Sequence, residues 1–84
     1  MTVEELRAEL QSHGVPAFAY SIGTDANESY CLIRERDGWH VYYSERGARN
    51  IEAVFPSEAA ACEELRRRVM NDGAIRRWIE ESGS

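Results

Sequence analysis

The apolar positions of this chain follow two periods, one helical and one of two residues. Near the N-terminus Val3, Leu6 and Leu10 recur on one helical face, and Thr2 with Glu5 forms a capping box that starts a helix there. The middle of the chain alternates in the manner of strands, and a helical period returns after it. The predicted elements are, in chain order, a helix over Val3–His13, an extended segment over Phe18–Ile22, strands over Tyr30–Glu35, Trp39–Ser44 and Ile51–Phe55, a helix over Glu58–Met70, and a short helix containing Ile75, Trp78 and Ile79.

Residues with special backbone preferences mark the boundaries of these elements. Gly14 ends the first helix in a left-handed C-cap, and Ser57 caps the second. Asp37-Gly38 makes the hairpin turn, and a second turn covers residues 45–48. We predict one α+β domain over residues 1–84, with a small antiparallel sheet of three to four strands packed against N- and C-terminal helices in the order α-(β)-β-β-β-α-α. The predicted core contains Leu6, Leu10, Trp39, Val41, Cys62 and Leu65.

The register of the hairpin decides which of its side chains lie together. A two-residue loop groups Tyr30, Leu32, Trp39, Val41 and Tyr43. A three-residue loop with a glycine bulge instead groups Cys31, Ile33, Trp39, Val41 and Tyr43. We favour the bulged register because it makes one face wholly apolar. The opposite face is then too apolar for solvent, and we expect another element or a partner to cover it. That face carries Tyr30, Leu32, Arg34, His40, Tyr42 and Ser44.

Composition excludes several classes of partner. The chain has 10 basic and 15 acidic residues, for a formal charge of -5, so it lacks the basic footprint that a phosphate backbone needs. No apolar run approaches the roughly 20 residues of a membrane span, and the N-terminus lacks the pattern of a signal peptide. We therefore expect a cytoplasmic protein with no nucleic-acid and no membrane partner. Cys31 and Cys62 have apolar neighbours and are expected to be buried free thiols.

Groups with the chemistry of catalysis or metal binding are sparse. The two histidines and two cysteines lack the paired spacing that brings metal ligands together, so no metal or other cofactor is expected. Ser44 or Cys31 with His40 and Glu45 would resemble a nucleophile arrangement, but adjacent strand residues point to opposite faces. A chain of 84 residues also leaves little room for a deep cleft. We assign no catalytic residue.

The turn over residues 44–47 is open to two interpretations. Glu45 and Arg46 could offer charge-assisted hydrogen bonds to a partner from the tip of a rigid hairpin. Alternatively, Gly47 supplies a positive φ in a well-formed turn, and Arg46 pairs locally with Glu45 or Glu52.

The C-terminal part of the chain contains five arginines, at positions 66–68, 76 and 77. We interpret them as residues that complement a helix dipole and solvate an outer helix face. Trp78 is expected in the core or on a helix that covers an edge of the sheet, with an oligomer contact as the alternative.

The chain resembles a family of small bacterial immunity proteins found in the toxin-immunity loci of polymorphic toxin systems. The resemblance spans roughly the first 70 residues and does not extend to the last helix. It implies a single-domain cytoplasmic antidote that binds a toxin domain and is not an enzyme. The matching segments are Gly14-Val15-Pro16, Tyr20-Ser21-Ile22-Gly23, Glu28-x-Tyr30-Cys31-Leu32, Trp39-x-Val41-Tyr42-Tyr43-Ser44-Glu45-Arg46-Gly47 and Phe55-x-Ser57-Glu58 leading to Ala61-Cys62.

These observations predict a protein that binds another protein without turnover. An acidic domain with an aromatic hairpin is complementary to a basic toxin such as a nuclease, because opposite charge speeds association. The alternative is a homo-oligomeric structural or regulatory domain, for example a homodimer, that uses the same sheet face on itself. The predicted partner-binding residues are Tyr30, His40, Tyr42, Ser44, Glu45 and Arg46.

Overall fold

The computed structural model describes residues 1–83 and contains three α-helices and four strands among them. The helices are α1 (Val3–Ser12), α2 (Glu58–Met70) and α3 (Gly73–Ser82), and the strands are β1 (Tyr20–Ile22), β2 (Ser29–Glu35), β3 (Gly38–Glu45) and β4 (Ala48–Phe55). A single 3₁₀ turn, Ala17–Ala19, precedes β1. The predicted α+β class and element order are confirmed. In the described part of the chain, no helix is both long enough and apolar enough to cross a bilayer.

The four strands form one sheet in the order β1-β2-β3-β4. β2, β3 and β4 pair antiparallel as predicted, whereas β1 pairs parallel with β2, so the sheet is mixed. Parallel neighbours ordinarily need a long crossover. Here residues 23–28 suffice because β1 has only three residues, a return distance of about 10 Å at strand spacing.

Local capping fixes the helix ends as the sequence predicts. Thr2 and Glu5 form the capping box of α1, and Gly14 follows that helix with a φ of +79°. The Ser57 side chain accepts a hydrogen bond from the backbone of Ala60 at the start of α2. Asp72 caps α3 in the same way, and its carboxylate accepts two backbone N–H groups.

The hairpin adopts the two-residue loop, so the favoured bulged register is wrong. Glu35 pairs with Gly38, which leaves Arg36 and Asp37 as the loop. Gly38 is a strand residue with a φ of +139°, and a Cβ on it would approach the Phe55 carbonyl oxygen to 2.7 Å. Glycine is therefore needed there for close contact with β4 rather than for a bulge in the loop.

The corrected register divides the sheet into two faces with different composition. We call the side packed against α1 and α2 the first face and the opposite side the second face. The first face carries Tyr30, Leu32, Trp39, Val41 and Tyr43. The second face carries Ser29, Cys31, Ile33, His40, Tyr42 and Ser44.

The core lies between the first face and the helices. Five of the six predicted core residues, Leu6, Leu10, Val41, Cys62 and Leu65, have no exposed surface. Trp39 is partly buried against this cluster, with the Arg34 guanidinium over its ring. Cys31 and Cys62 are both buried and lie on opposite sides of the sheet, which separates the two thiols.

Candidate functional site

The second face is covered by the connection between β1 and β2. Asp25 in that loop accepts a hydrogen bond of 2.7 Å from the Tyr42 hydroxyl and one of 3.2 Å from the Ser44 hydroxyl. Next to it, the Cys31 thiol lies 3.6 Å from the carbonyl oxygen of Ala26. Tyr42 has no exposed surface as a result. A loop of the domain itself therefore covers Tyr42 and Ser44 of the face that the sequence predicts to need a cover. The other members of that predicted face, Tyr30, Leu32 and Arg34, lie on the first face.

A guanidinium group closes the rest of the second face. Arg49 places its guanidinium 4.5 Å from the centre of the Tyr42 ring. The same group forms ion pairs of 3.0 Å with Glu35 and 2.8 Å with Glu52. β4 shifts its register opposite Tyr42, and Ile51 has a φ of +55° there. This bulge places Glu52 and Arg49 on one side of the strand.

His40 lies among carboxylates at the hairpin-loop end of the second face. Its Nδ1 is 2.8 Å from Glu52, and its Nε2 is 2.6 Å from Asp37 and 3.3 Å from Glu35. Hydrogen bonds to Asp37 and then to Glu52 raise the pKa of the imidazole, because they favour its charged form. The ring is buried although Asp37 is exposed.

The six predicted partner-binding residues fall in three places. Tyr42, Ser44 and His40 are buried on the second face, so in this arrangement none of them presents a substantial surface. Tyr30 is on the first face, where its hydroxyl donates to Asp72 at 2.7 Å. The other two, Glu45 and Arg46, are exposed in the β3–β4 turn. The role of these residues in binding stays a prediction.

The β3–β4 turn is well formed and is tied to the loop that covers the second face. Arg46 has a φ of +52°, and Gly47 follows with +81°. The Arg46 amide donates to the Asn27 side chain at 2.8 Å, and the Glu28 amide donates to the Ser44 carbonyl at 2.7 Å. The predicted positive φ of Gly47 is confirmed, whereas the predicted local pairing of Arg46 is not found in residues 1–83, where Glu52 pairs with Arg49 and His40 instead. Glu45 and Arg46 are exposed to solvent.

A small cleft of about 160 Å³ lies at the same end of the sheet, between the 3₁₀ turn and the start of α3. Inside it, the Tyr30 and Tyr43 rings meet edge to face at 4.9 Å. Burial and the hydrogen bond to Asp72 raise the pKa of Tyr30 to about 12. The cleft is lined by Phe18, Ala19, Glu28, Tyr30, Tyr43, Asp72, Ala74 and Ile75.

Two exposed aromatic residues adjoin this cleft. Phe18 is 66% exposed and Trp78 is 41% exposed, and their rings meet edge to face with 5.8 Å between centres. α3 packs Ile75 and Ile79 against the core, which leaves Trp78 on the outer side of the helix. Sequence reasoning missed Phe18 and Glu28 as site residues, and no spacing in the chain brings them together with α3.

Three of the five C-terminal arginines are paired with carboxylates. Arg66 pairs with Glu9 of α1, while Arg67 and Arg68 both pair with Glu64 at 2.6 Å. Arg68 also donates to the carbonyl oxygen of Ile51 at 2.7 Å and so ties α2 to β4.

Comparisons with protein-family models, with curated proteins and with solved structures found no match to this chain.

Proposed function

We propose that this chain neutralises a cognate protein toxin by binding it, without catalysing a reaction. The observation that carries the proposal is the exposed Phe18–Trp78 pair beside the cleft. Aromatic side chains supply much of the binding energy at protein interfaces, because they bury a large rigid area at low entropic cost. Two adjoining exposed rings at the mouth of a cleft suit an anchor from a partner.

The net charge of the chain favours a basic partner. Glu28 lines the cleft, and the neighbouring turn carries Glu45 and Arg46 in solvent. The whole chain has a formal charge of -5, which would speed association with a basic toxin domain such as a nuclease. We place the interface on this end of the sheet: Phe18, Glu28, Tyr43, Glu45, Arg46 and Trp78.

The proposed compartment is the cytoplasm. Cys31 and Cys62 are buried as unpaired thiols on opposite sides of the sheet. Such cysteines are typical of proteins in a reducing compartment.

A rescue experiment tests both the function and the surface. The wild-type chain, the double variant Phe18→Ala/Trp78→Ala and the control Val54→Ala would each be co-expressed with a toxin domain encoded beside it in the native host. Val54 is an exposed apolar residue on β4, away from the cleft. We expect the wild type and V54A to restore growth and the double variant to fail while remaining folded by circular dichroism.

Two results would count against the proposal in different ways. Failure of the wild type to rescue growth from any neighbouring toxin domain would remove the antidote function. Full rescue by the double variant would retain the function and move the interface away from Phe18 and Trp78.

The alternative, a homo-oligomeric domain, is supported by the outer edge of β4. Ile51 and Val54 are exposed on this edge strand, at 76% and 46%, and unpaired edges can associate. One observation disfavours edge-to-edge association of β4, because Arg68 already donates a hydrogen bond to the Ile51 carbonyl oxygen. Sedimentation equilibrium separates the two functions, because a dimer that V54A dissociates would favour the homo-oligomer.

A further inference from the structure

A second group of side chains with binding chemistry lies at the opposite end of the hairpin from the proposed interface. Glu35, Asp37 and His40 each offer one possible ligand atom, and these atoms all lie within 4.8 Å of one another. The three residues come from the end of β2, the hairpin loop and the start of β3. A tight loop therefore holds these three residues together. Their spacing in the sequence does not match a metal-binding motif.

The distances within the group approach those of ligands around a metal ion. The His40 Nε2 atom is 2.6 Å from Asp37 Oδ1 and 3.3 Å from Glu35 Oε1. Ligands that lie about 2.1 Å from a tetrahedral zinc ion are about 3.4 Å apart. Asp37 is 68% exposed, so its carboxylate can move outward by the small distance that a cation requires.

The histidine is oriented as a metal-ligating histidine usually is. Glu52 of β4 lies 2.8 Å from Nδ1, on the side of the ring away from Glu35 and Asp37. A carboxylate that accepts the Nδ1 proton directs the Nε2 lone pair toward a bound metal. The imidazole is nine-tenths buried and has little freedom to turn. Arg49 also holds both Glu35 and Glu52, which fixes their carboxylates.

The charge of the cluster matches a divalent cation. Three carboxylates and the Arg49 guanidinium sum to -2 when His40 is neutral. A cation with two positive charges would balance that sum, and the exposed side of Asp37 leaves access for a water ligand. We propose that Glu35, Asp37 and His40 form a binding site for a divalent cation of the zinc type, with Glu52 positioning the histidine.

Calorimetric titration of the chelator-treated full chain with Zn²⁺ tests this proposal. The variants are Asp37→Asn, which changes an exposed ligand with little risk to folding, and His13→Gln, which removes the other histidine of the chain. We expect one equivalent of Zn²⁺ to bind the wild type and H13Q equally. D37N should weaken binding by about tenfold or more. The ¹⁵N resonance of His40 Nε2 should shift on saturation, while that of His13 should not.

Three results would overturn the metal site. They are no saturable binding to the wild type, unchanged affinity in D37N, and loss of binding in H13Q. In the first case the cluster is an imidazolium held among carboxylates and nothing more. None of these results bears on the toxin-binding proposal, because the Phe18–Trp78 surface lies at the other end of the hairpin.

Discussion

Both faces of the sheet carry fully buried side chains, but they are sealed by different chemistry. On the first face, α1 and α2 supply hydrocarbon side chains such as Leu6 and Leu65. On the second face, a loop of six residues and one arginine cover Tyr42 with hydrogen bonds, ion pairs and a stacked guanidinium. Tyr42 and Leu65 are equally inaccessible to solvent. A short chain can thus bury both sides of a sheet without a second layer of helices.

The two kinds of cover predict different responses of the two faces to mutation. Apolar burial scales with area and depends little on the direction of any one contact. A polar cover depends on particular donors and acceptors, because a buried group that loses its partner keeps the desolvation penalty. The first face should therefore respond to lost volume, and the second face to the loss of a single oxygen atom.

The largest expected effect is a cavity under the helices. Leu65→Ala removes a fully buried side chain of α2, and we expect a loss of about 2–5 kcal/mol in the free energy of unfolding. Urea denaturation followed by circular dichroism measures it. The exposed change Ala59→Ser on the same helix is the control and should leave the midpoint nearly unchanged. An L65A midpoint equal to that of the parent would show that the first face is not the core.

The next effect compares two tyrosine hydroxyls in matched hydrogen bonds. Tyr42 and Tyr30 each donate to a carboxylate at 2.7 Å, on the second and first face respectively. Tyr42→Phe should cost about 1–2 kcal/mol of unfolding free energy, because the hydroxyl is fully buried and helps to hold the loop. Tyr30→Phe should cost at most about 1 kcal/mol, since Asp72 keeps its two backbone donors. The reverse order in urea denaturation would mean that the loop contributes little to stability.

How much of this arrangement the sequence predicts depends on the range of the interactions. The caps at Thr2, Gly14 and Ser57 are local, and all three are confirmed. The hairpin faces were predicted incorrectly because Cys31 and Leu32 are both apolar, so the pattern cannot choose between them. The actual choice depends on contact between Gly38 and β4, which is tertiary.

The candidate sites illustrate the same limit. The polar cover of Tyr42 needs Asp25 and Arg49, which lie 17 residues before it and seven after it in sequence. The Phe18–Trp78 pair joins residues 60 positions apart. Patterns of alternation and spacing do not predict contacts between residues so far apart in sequence. For this reason the predicted binding residues include side chains that the domain itself covers.

A smaller effect should appear in the reactivity of the two thiols, one on each side of the sheet. Burial raises the pKa of both, that of Cys62 to about 11, so labelling requires local opening. A loop held by a few polar contacts opens more readily than packed helices. We expect Cys31 to be labelled about tenfold faster than Cys62, which corresponds to about 1.4 kcal/mol in opening free energy.

Peptide mass mapping after timed labelling of the native protein locates the modified cysteine. In denaturant both thiols should react at similar rates, which serves as the control. Faster labelling of Cys62 would indicate that the helices, and not the loop, open first.

The smallest effect concerns the ion pairs that Glu64 forms within α2. Glu64 accepts hydrogen bonds from Arg67 and Arg68, and these bonds lower its pKa below the ordinary value of 4.5. Because folding lowers this pKa, the carboxylate stabilises the folded state at pH values above its ordinary pKa of 4.5. This contribution is then lost as the pH falls through the folded-state pKa. Glu64→Gln should cost about 0.5–1 kcal/mol of unfolding free energy at neutral pH.

The pH dependence distinguishes this ion pair from simple packing of the Glu64 side chain. The difference in unfolding free energy between E64Q and the parent should shrink toward zero as the pH falls through the lowered folded-state pKa of Glu64, because the carboxyl is then protonated in both states of the parent. Glu63→Gln is the matched control, since the neighbouring Glu63 is exposed and its contact with Arg66 is long, at 3.9 Å. That variant should differ little from the parent at any pH. An E64Q difference that stays constant across the titration would assign the effect to packing of the Glu64 side chain.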